Sequence, residues 1–344
     1  MTRWAVILAG GVGSRFWPLS TPDRPKQLLP LVNDKPLLVN TVERLSELVP
    51  ASHVLILTNA SLADAIAGAV PSVPRENIIA EPKPAGTAAA LTWAALEIQK
   101  RSGADSTMIC VHADWAIADD EGFRKALAAA ERVALEESAL VTVGIVPTRP
   151  DPGFGYIQPG EATESGARKV TRFVEKPDRS RAEEMLHAGY LWNSGIFAWR
   201  VGDFLEEIAA HTAEIFKALP RASEGLAQFF DAVVPVSIDV GLLERSKRVR
   251  VVPGDFGWDD VGTWGALRRV KPEDESGNVV SGDVYSLEAR GNVVHAEGGA
   301  VVLYDVSDLV IVSRGNLTLV TTSERSSDLK TLIGSLPRHL RELA

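Results

Sequence analysis

Between residues 4 and 145 the chain repeats one rhythm, a short apolar run followed by a longer segment with helical spacing. The runs are WAVILA (4–9), HVLILT (53–58), TMICVH (107–112) and ALVTVGI (139–145). Between them lie LLVNTVERLSELV, SLADAIAGAV, GTAAALTWAALEIQKR and GFRKALAAAERVALEE. Runs without polar alternation suit strands covered on both faces, and helix-length connections suit the right-handed crossovers of parallel pairing. The rhythm predicts an α/β fold with a doubly wound, mostly parallel, Rossmann-like sheet.

After residue 146 the texture changes. PTRPDPGFGYIQPG is rich in Pro and Gly, and a strand-like KVTRFVEKP follows, then a helix from Asp178 to about His187. YLWNSGIFAWR and helical periods across 203–218, 223–232 and 238–246 complete the stretch. With no linker-like segment in it, this stretch reads as an insertion that finishes the same domain and covers the sheet's edge. From Gly277 short β-branched strands alternate with glycine or asparagine turns, and GNVV occurs at 277–280 and again at 291–294. A small C-terminal β unit is expected, a short β-helix or a meander. The tail spaces Leu329, Leu332, Ile333, Leu336, Leu340 and Leu343 as an amphipathic terminal helix with a kink at Pro337. The expected domains are 1–265, catalytic, and 266–344, the β unit with its tail helix.

A net charge of -9 argues against a nucleic-acid partner, though a few local cations can still dominate one anion-binding cleft. The lone Cys110 rules out a disulfide within the chain and fits a reducing compartment. The N-terminal apolar stretch is too short for a signal peptide or a membrane span, so a cytoplasmic protein without membrane contact is expected.

The stretch LAGGVGSRFWPLSTPDRPKQ (8–27) follows the first run. A dinucleotide fingerprint fails because Phe16 stands where the third glycine belongs, and no Gly-Lys-Ser/Thr triplet makes a Walker loop. What remains is a tight turn at the carboxyl end of the first strand, where open α/β sheets bind ligands. Gly10, Gly11 and Gly13 let backbone N–H groups approach an anion, Arg15 and Lys26 supply cationic donors, and Pro18, Pro22 and Pro25 stiffen the segment. Asp114 ends the run MICVHAD and suits either a hard divalent cation near phosphates or a helix cap. FGWDDVGTW (256–264) sets Asp259 beside Asp260, and spacing alone does not choose between them. Glu175 and Lys176 in FVEKP read as sugar-facing groups or as a surface ion pair; Thr87 in EPKPAGTAAA reads as a cap, and Asn193 in WNSGIF as a turn residue. The histidines form no metal-spaced pair, and no nucleophilic triad stands out.

LAGGVGSRFWPLSTPDRPKQLLPL resembles the signature of the sugar-nucleotide pyrophosphorylases, and its Phe16-Trp17 pair and Gln27 make it most similar to the mannose-1-phosphate guanylyltransferases. The resemblance implies transfer of GMP from GTP to mannose 1-phosphate, with Mg²⁺ as cofactor. It implies Arg15, Lys26, Asp114 and Asp260 as catalytic residues, the two aspartates holding the metal. Substrate contacts fall to Leu8, Gly10, Gly11 and Gly13 of the loop, Thr87 near the base, and Gly155, Glu175, Lys176 and Asn193 at the sugar. Where guanylyltransferases carry Arg-Asn before the threonine, this chain has Ala85 and Gly86, nearer the broader nucleotidyltransferase form. Another triphosphate or hexose 1-phosphate therefore stands as an alternative, as does a non-catalytic relative that binds sugar nucleotides. Larger relatives append a cupin domain with isomerase activity; the short stretch after the β unit leads us to expect transferase activity alone. The β unit would serve homodimerisation, closure of the site or packing within one chain, and the sequence does not choose.

Overall fold

The computed structural model describes every residue except Val12, Glu342 and Ala344. Two compact units emerge, the first made of Met1–Gly10, Val42–His112 and Asp119–Gly257, the second of Gly11–Thr41, Ala113–Ala118 and Trp258–Ala344. The boundary expected at 265/266 therefore gives way to a division in which the glycine-rich segment joins the C-terminal part. Burial is the reason. Phe16, Trp17, Leu19, Leu29 and Leu31 share a core with Trp264, Val279, Val293, Val310 and Leu317.

The first unit is built on a nine-stranded sheet. Its strands are β1 (Arg3–Leu8), β2 (Val54–Asn59), β3 (Ile78–Glu81), β4 (Thr107–His112), β5 (Leu140–Ile145), β6 (Tyr156–Ala162), β7 (Arg168–Val174), β8 (Leu191–Arg200) and β9 (Val249–Gly254). They lie in the order β3-β2-β1-β4-β8-β5-β9-β7-β6. β3, β2, β1 and β4 pair in parallel, joined by helices α1 (Leu37–Leu45), α2 (Ala63–Ala69) and α3 (Thr87–Ser102). α4 (Asp120–Glu137) leads to β5, which pairs with β9 in parallel. The α/β reading stands, with a mixed sheet in place of a mostly parallel one: β8 runs antiparallel to both β4 and β5. The segment expected to cover the sheet's edge thus supplies one of its central strands. Its composition explains the placement, since LWNSGIFAWR keeps Trp192, Ile196, Phe197, Ala198 and Trp199 buried, as a strand covered on both faces must. Of that segment, β6 lies at one edge of the sheet, with β7 between it and β9.

In the second unit β10 (Val279–Ser281), β12 (Val293–Glu297) and β14 (Leu309–Arg314) pair in parallel and β15 (Leu317–Thr322) closes the sheet antiparallel, while β11 (Val284–Leu287) pairs in parallel with β13 (Val301–Tyr304). Parallel pairing between successive short strands is the geometry of stacked coils, so the β-helix reading holds over the meander. The two GNVV copies are true structural repeats: Val279 and Val280 pair with Val293 and Val294. Buried Asn278 accepts from Asn292 N at 3.0 Å and Nδ2 at 2.9 Å, and Asn292 Oδ1 accepts from Leu309 N at 3.0 Å. The tail forms two helical pieces, Leu329–Ser335 and Arg338–Arg341, broken at Pro337 as its missing N–H requires.

Candidate active site

In the second unit two short segments are drawn together by an antiparallel bridge, in which Ala116 N donates to Asp259 O at 2.9 Å and Asp259 N to Ala116 O at 3.0 Å. Trp115 and Trp258 meet edge to face beside it. The bridge brings Asp114 and Asp260 to one lysine. Lys26, on a single 3₁₀ turn, donates from Nζ to Asp114 Oδ2 at 2.9 Å and to the backbone oxygen of Asp260 at 2.6 Å. The lysine side chain is 8% exposed and the Asp114 side chain 34%, so a shielded cation presents a carboxylate that solvent still reaches. Gly13 is what lets Lys26 lie there. It sits at φ 67°, and a Cβ on it would fall 2.3 Å from Lys26 Cβ. Gly11 is likewise left-handed, at φ 93°, and Arg15 is exposed on the turn Ser14–Phe16.

The adjacent carboxylates of FGWDDVGTW separate cleanly. Asp259 is buried, takes two hydrogen bonds from Arg269 at 2.6 and 2.9 Å, and accepts from Val261 N at 2.9 Å. Its work is structural. Asp260 lies over Gly262, where a Cβ would come within 2.7 Å of its Oδ2. Asp114 is not a helix cap either, because α4 is capped by Asp119, which accepts from Gly122 N at 2.9 Å. Among the described residues no group of three or more His, Cys, Asp and Glu gathers to hold a metal. Asp114 and Asp260 still fit a small hard cation, which needs only one or two carboxylates when phosphate oxygens and water complete its shell.

The first unit carries the remaining candidates. Leu8 closes β1 and is buried, and Gly10 ends the unit's first segment. Thr87 opens α3 but does not cap it: the N-cap is Gly86 at φ 81°, and Thr87 Oγ1 accepts from Ile238 N at 2.8 Å. A Cβ at residue 86 would lie 2.2 Å from Val236 O, so the backbone at Val236 leaves no room for a side chain there. Glu81, at the end of β3, is a carboxyl that burial pushes up to about 7.

On the other flank of the same sheet Gly155 O accepts from Asn193 N at 2.8 Å, and a Cβ on Gly155 would meet Glu175 Oε2 at 2.9 Å. Asn193 belongs to β8, at a register shift opposite Gly144, and is no turn residue; its Nδ2 donates to Asp239 Oδ1 at 2.7 Å. The loop before Gly155 is pinned by Arg149, which stacks over Trp192 and Phe154 and pairs with Asp151. Glu175 and Lys176 form the surface ion pair that their spacing allows, at 2.7 Å and largely exposed, with Lys176 at φ 42°. Such a pair contributes little, so exchanging it for a ligand costs little. Asp239, Arg149 and Glu81 went unnoticed in the sequence. No local signal marks Asp239, whose partner is 46 residues away.

The model of the nucleotidyl transferase family matches residues 4–277. A mannose-1-phosphate guanylyltransferase of Klebsiella pneumoniae is 38% identical over 98% of this chain and 74% of its own length. The chain belongs to the nucleotidyl transferase family, among the mannose-1-phosphate guanylyltransferases. The transferase is also 36% identical to ManC of Salmonella typhimurium, over 96% of the chain and 72% of that relative. A crystal structure described as mannose-1-phosphate geranyltransferase from Thermus thermophilus superposes with a TM-score of 0.90 at 36% identity, covering 97% of this chain and 99% of that one. Nucleotidyltransferases generally act with a divalent metal ion. Among the described residues of the transferase no helix is long and apolar enough to cross a membrane.

Proposed function

We propose that the chain transfers GMP from GTP to mannose 1-phosphate, releasing pyrophosphate and forming GDP-mannose. The observation that carries this is the buried Lys26 held between Asp114 and Asp260 above a glycine that leaves no room for a side chain. A phosphate oxygen of the sugar 1-phosphate bonds to the α-phosphorus as the bond to the β-phosphate bridging oxygen breaks. The nucleophile is already an anion at neutral pH, so no general base is needed, and positioning and charge stabilisation carry the rate. Lys26 and Arg15 then offset charge on the departing pyrophosphate, and the N–H groups around Gly10, Gly11 and Gly13 receive the triphosphate beside Leu8. Thr87 stands on the nucleoside side, while Gly155, Asn193, Glu175 and Lys176 receive the sugar and its phosphate.

Asp114 and Asp260 would hold Mg²⁺, which when bound supplies positive charge to the phosphate oxygens. The lone buried Cys110 supports a cytoplasmic location. A second copy of the chain is the proposed partner. Tyr285 and Leu287 on β11 stand opposite Val302 and Tyr304 on β13, exposed by 62%, 48%, 70% and 65%. Together they form one exposed apolar row on paired strands.

Pyrophosphate release from GTP and mannose 1-phosphate is expected with Mg²⁺, to vanish on chelation and to fall about a thousandfold in Asp260→Ala. Release with no combination of four triphosphates and mannose or glucose 1-phosphate would sink the enzyme. Gly86 favours one second reading, the same transfer from another triphosphate, and that panel decides it.

A further inference from the structure

The turn after Val236 joins two segments of the first unit that lie far apart in the sequence. Its residues 236–238 hold the start of α3: Val236 O accepts from Ala88 N at 3.3 Å, and Ile238 N donates to Thr87 Oγ1 at 2.8 Å. The next residue, Asp239, opens a π-helical turn, Asp239–Leu243, and turns the other way, its Oδ1 accepting from Asn193 Nδ2 at 2.7 Å. Asn193 is fixed from its backbone as well, through its N–H to Gly155 O.

The bond from an amide N–H to a carboxylate is charge-assisted and stronger than a neutral pair. It also decides which end of the amide faces where. With Nδ2 committed to Asp239, Oδ1 points away from the turn and accepts a long contact of 3.4 Å from Gly195 N. Without Asp239, rotation about the last torsion would exchange donor and acceptor. Burial and the charge of Glu175 push the Asp239 carboxyl up, while the Asn193 bond and His112 pull it down.

We propose that Asp239 is a positioning residue for the sugar 1-phosphate, holding the Asn193 amide in one orientation so that a fixed acceptor meets the hexose hydroxyls. It rests on Asn193 receiving the sugar, as above. A sugar hydroxyl both donates and accepts, so a freely flipping amide would still bind. What it loses is affinity and the distinction between epimers.

The test is steady-state pyrophosphate release by the full chain with GTP against mannose and glucose 1-phosphates. Asp239→Ala is expected to raise KM for mannose 1-phosphate about tenfold, leave KM for GTP within about twofold, and narrow the preference for mannose over glucose. Asp239→Asn keeps an acceptor for Asn193 and is expected to restore KM to within about threefold of the parent. Asn193→Ala combined with Asp239→Ala should match Asn193→Ala alone, since Asp239 acts through the amide. Equal rises in both KM values, no rise, or additive losses would overturn the proposal. If Asp239→Ala fails to fold, Asp239→Ser, too short to reach the amide, takes its place under the same criteria. A parent protein that turns over no hexose 1-phosphate refutes the transferase reading itself; an active parent with an unaltered Asp239→Ala refutes only the role of Asp239.

Discussion

At residue 13 there is room for a hydrogen and nothing more. A methyl group would have to displace Lys26, whose Cβ it would meet at 2.3 Å, and would sit at a φ of 67° that L-residues adopt with strain. Gly13→Ala is therefore expected to lower kcat/KM for pyrophosphate release about a hundredfold, the scale of a 1 Å misplacement of a charged group. Unchanged kinetics would show that Lys26 is not held by this contact. Glu81 gives a prediction in pH. Burial raises its carboxyl from 4.5 to about 7 in the folded chain. Below pH 4.5 both states keep the proton; between 4.5 and 7 the unfolded chain loses it first, so stability falls across that window and levels off above it. Glu81→Gln should be more stable than the parent at pH 8, by about 2 kcal/mol, and equal to it at pH 4. Urea unfolding at the two pH values reads the difference, and a gap that is larger in acid would refute it.

Among the elements, the start of α3 and the turn at 236–238 are fitted to each other through Gly86. Gly86→Asn should lower the unfolding temperature by several degrees, because Val236 O stands 2.2 Å from where the new Cβ would be. A variant as stable as the parent would show that the turn yields freely. In the β-helix the asparagine ladder joins one coil to the next. Asn292→Ala strands the N–H of Leu309 and leaves the side-chain oxygen of buried Asn278 only the backbone N–H of residue 292, and is expected to cost about 2 kcal/mol in urea unfolding. The ladder explains why the repeat was faint in the sequence. The third coil carries Asp308 and Leu309 where the first two carry Gly-Asn, and Asp308 takes the left-handed conformation at φ 56° that Gly277 and Gly291 take in theirs.

For the molecule as a whole, the row Tyr285, Leu287, Val302 and Tyr304 makes association measurable. Sedimentation at micromolar concentration is expected to give a dimer, and Val302→Glu with Tyr304→Glu a monomer of unchanged thermal stability; a parent that stays monomeric removes the second copy as partner. Much of this protein was legible from local order alone. The runs that became β1, β2, β4 and β5 and the helices between them declared themselves by hydrophobic period, which is a property of neighbours in the chain. The glycine loop with Arg15 and Lys26 was legible for the same reason, as residue types at close spacing. What the sequence could not hold is whatever depends on a partner far along the chain. Only folding set Asp259 against Arg269 and left Asp260 beside Lys26, put β8 in the middle of the sheet, and joined the loop at 11–41 to the C-terminal core. It likewise brought Asp239 to Asn193. Hydrophobic period is written residue by residue, whereas the choice between two adjacent carboxylates is an energy of contact, and contacts exist only once the chain has closed on itself.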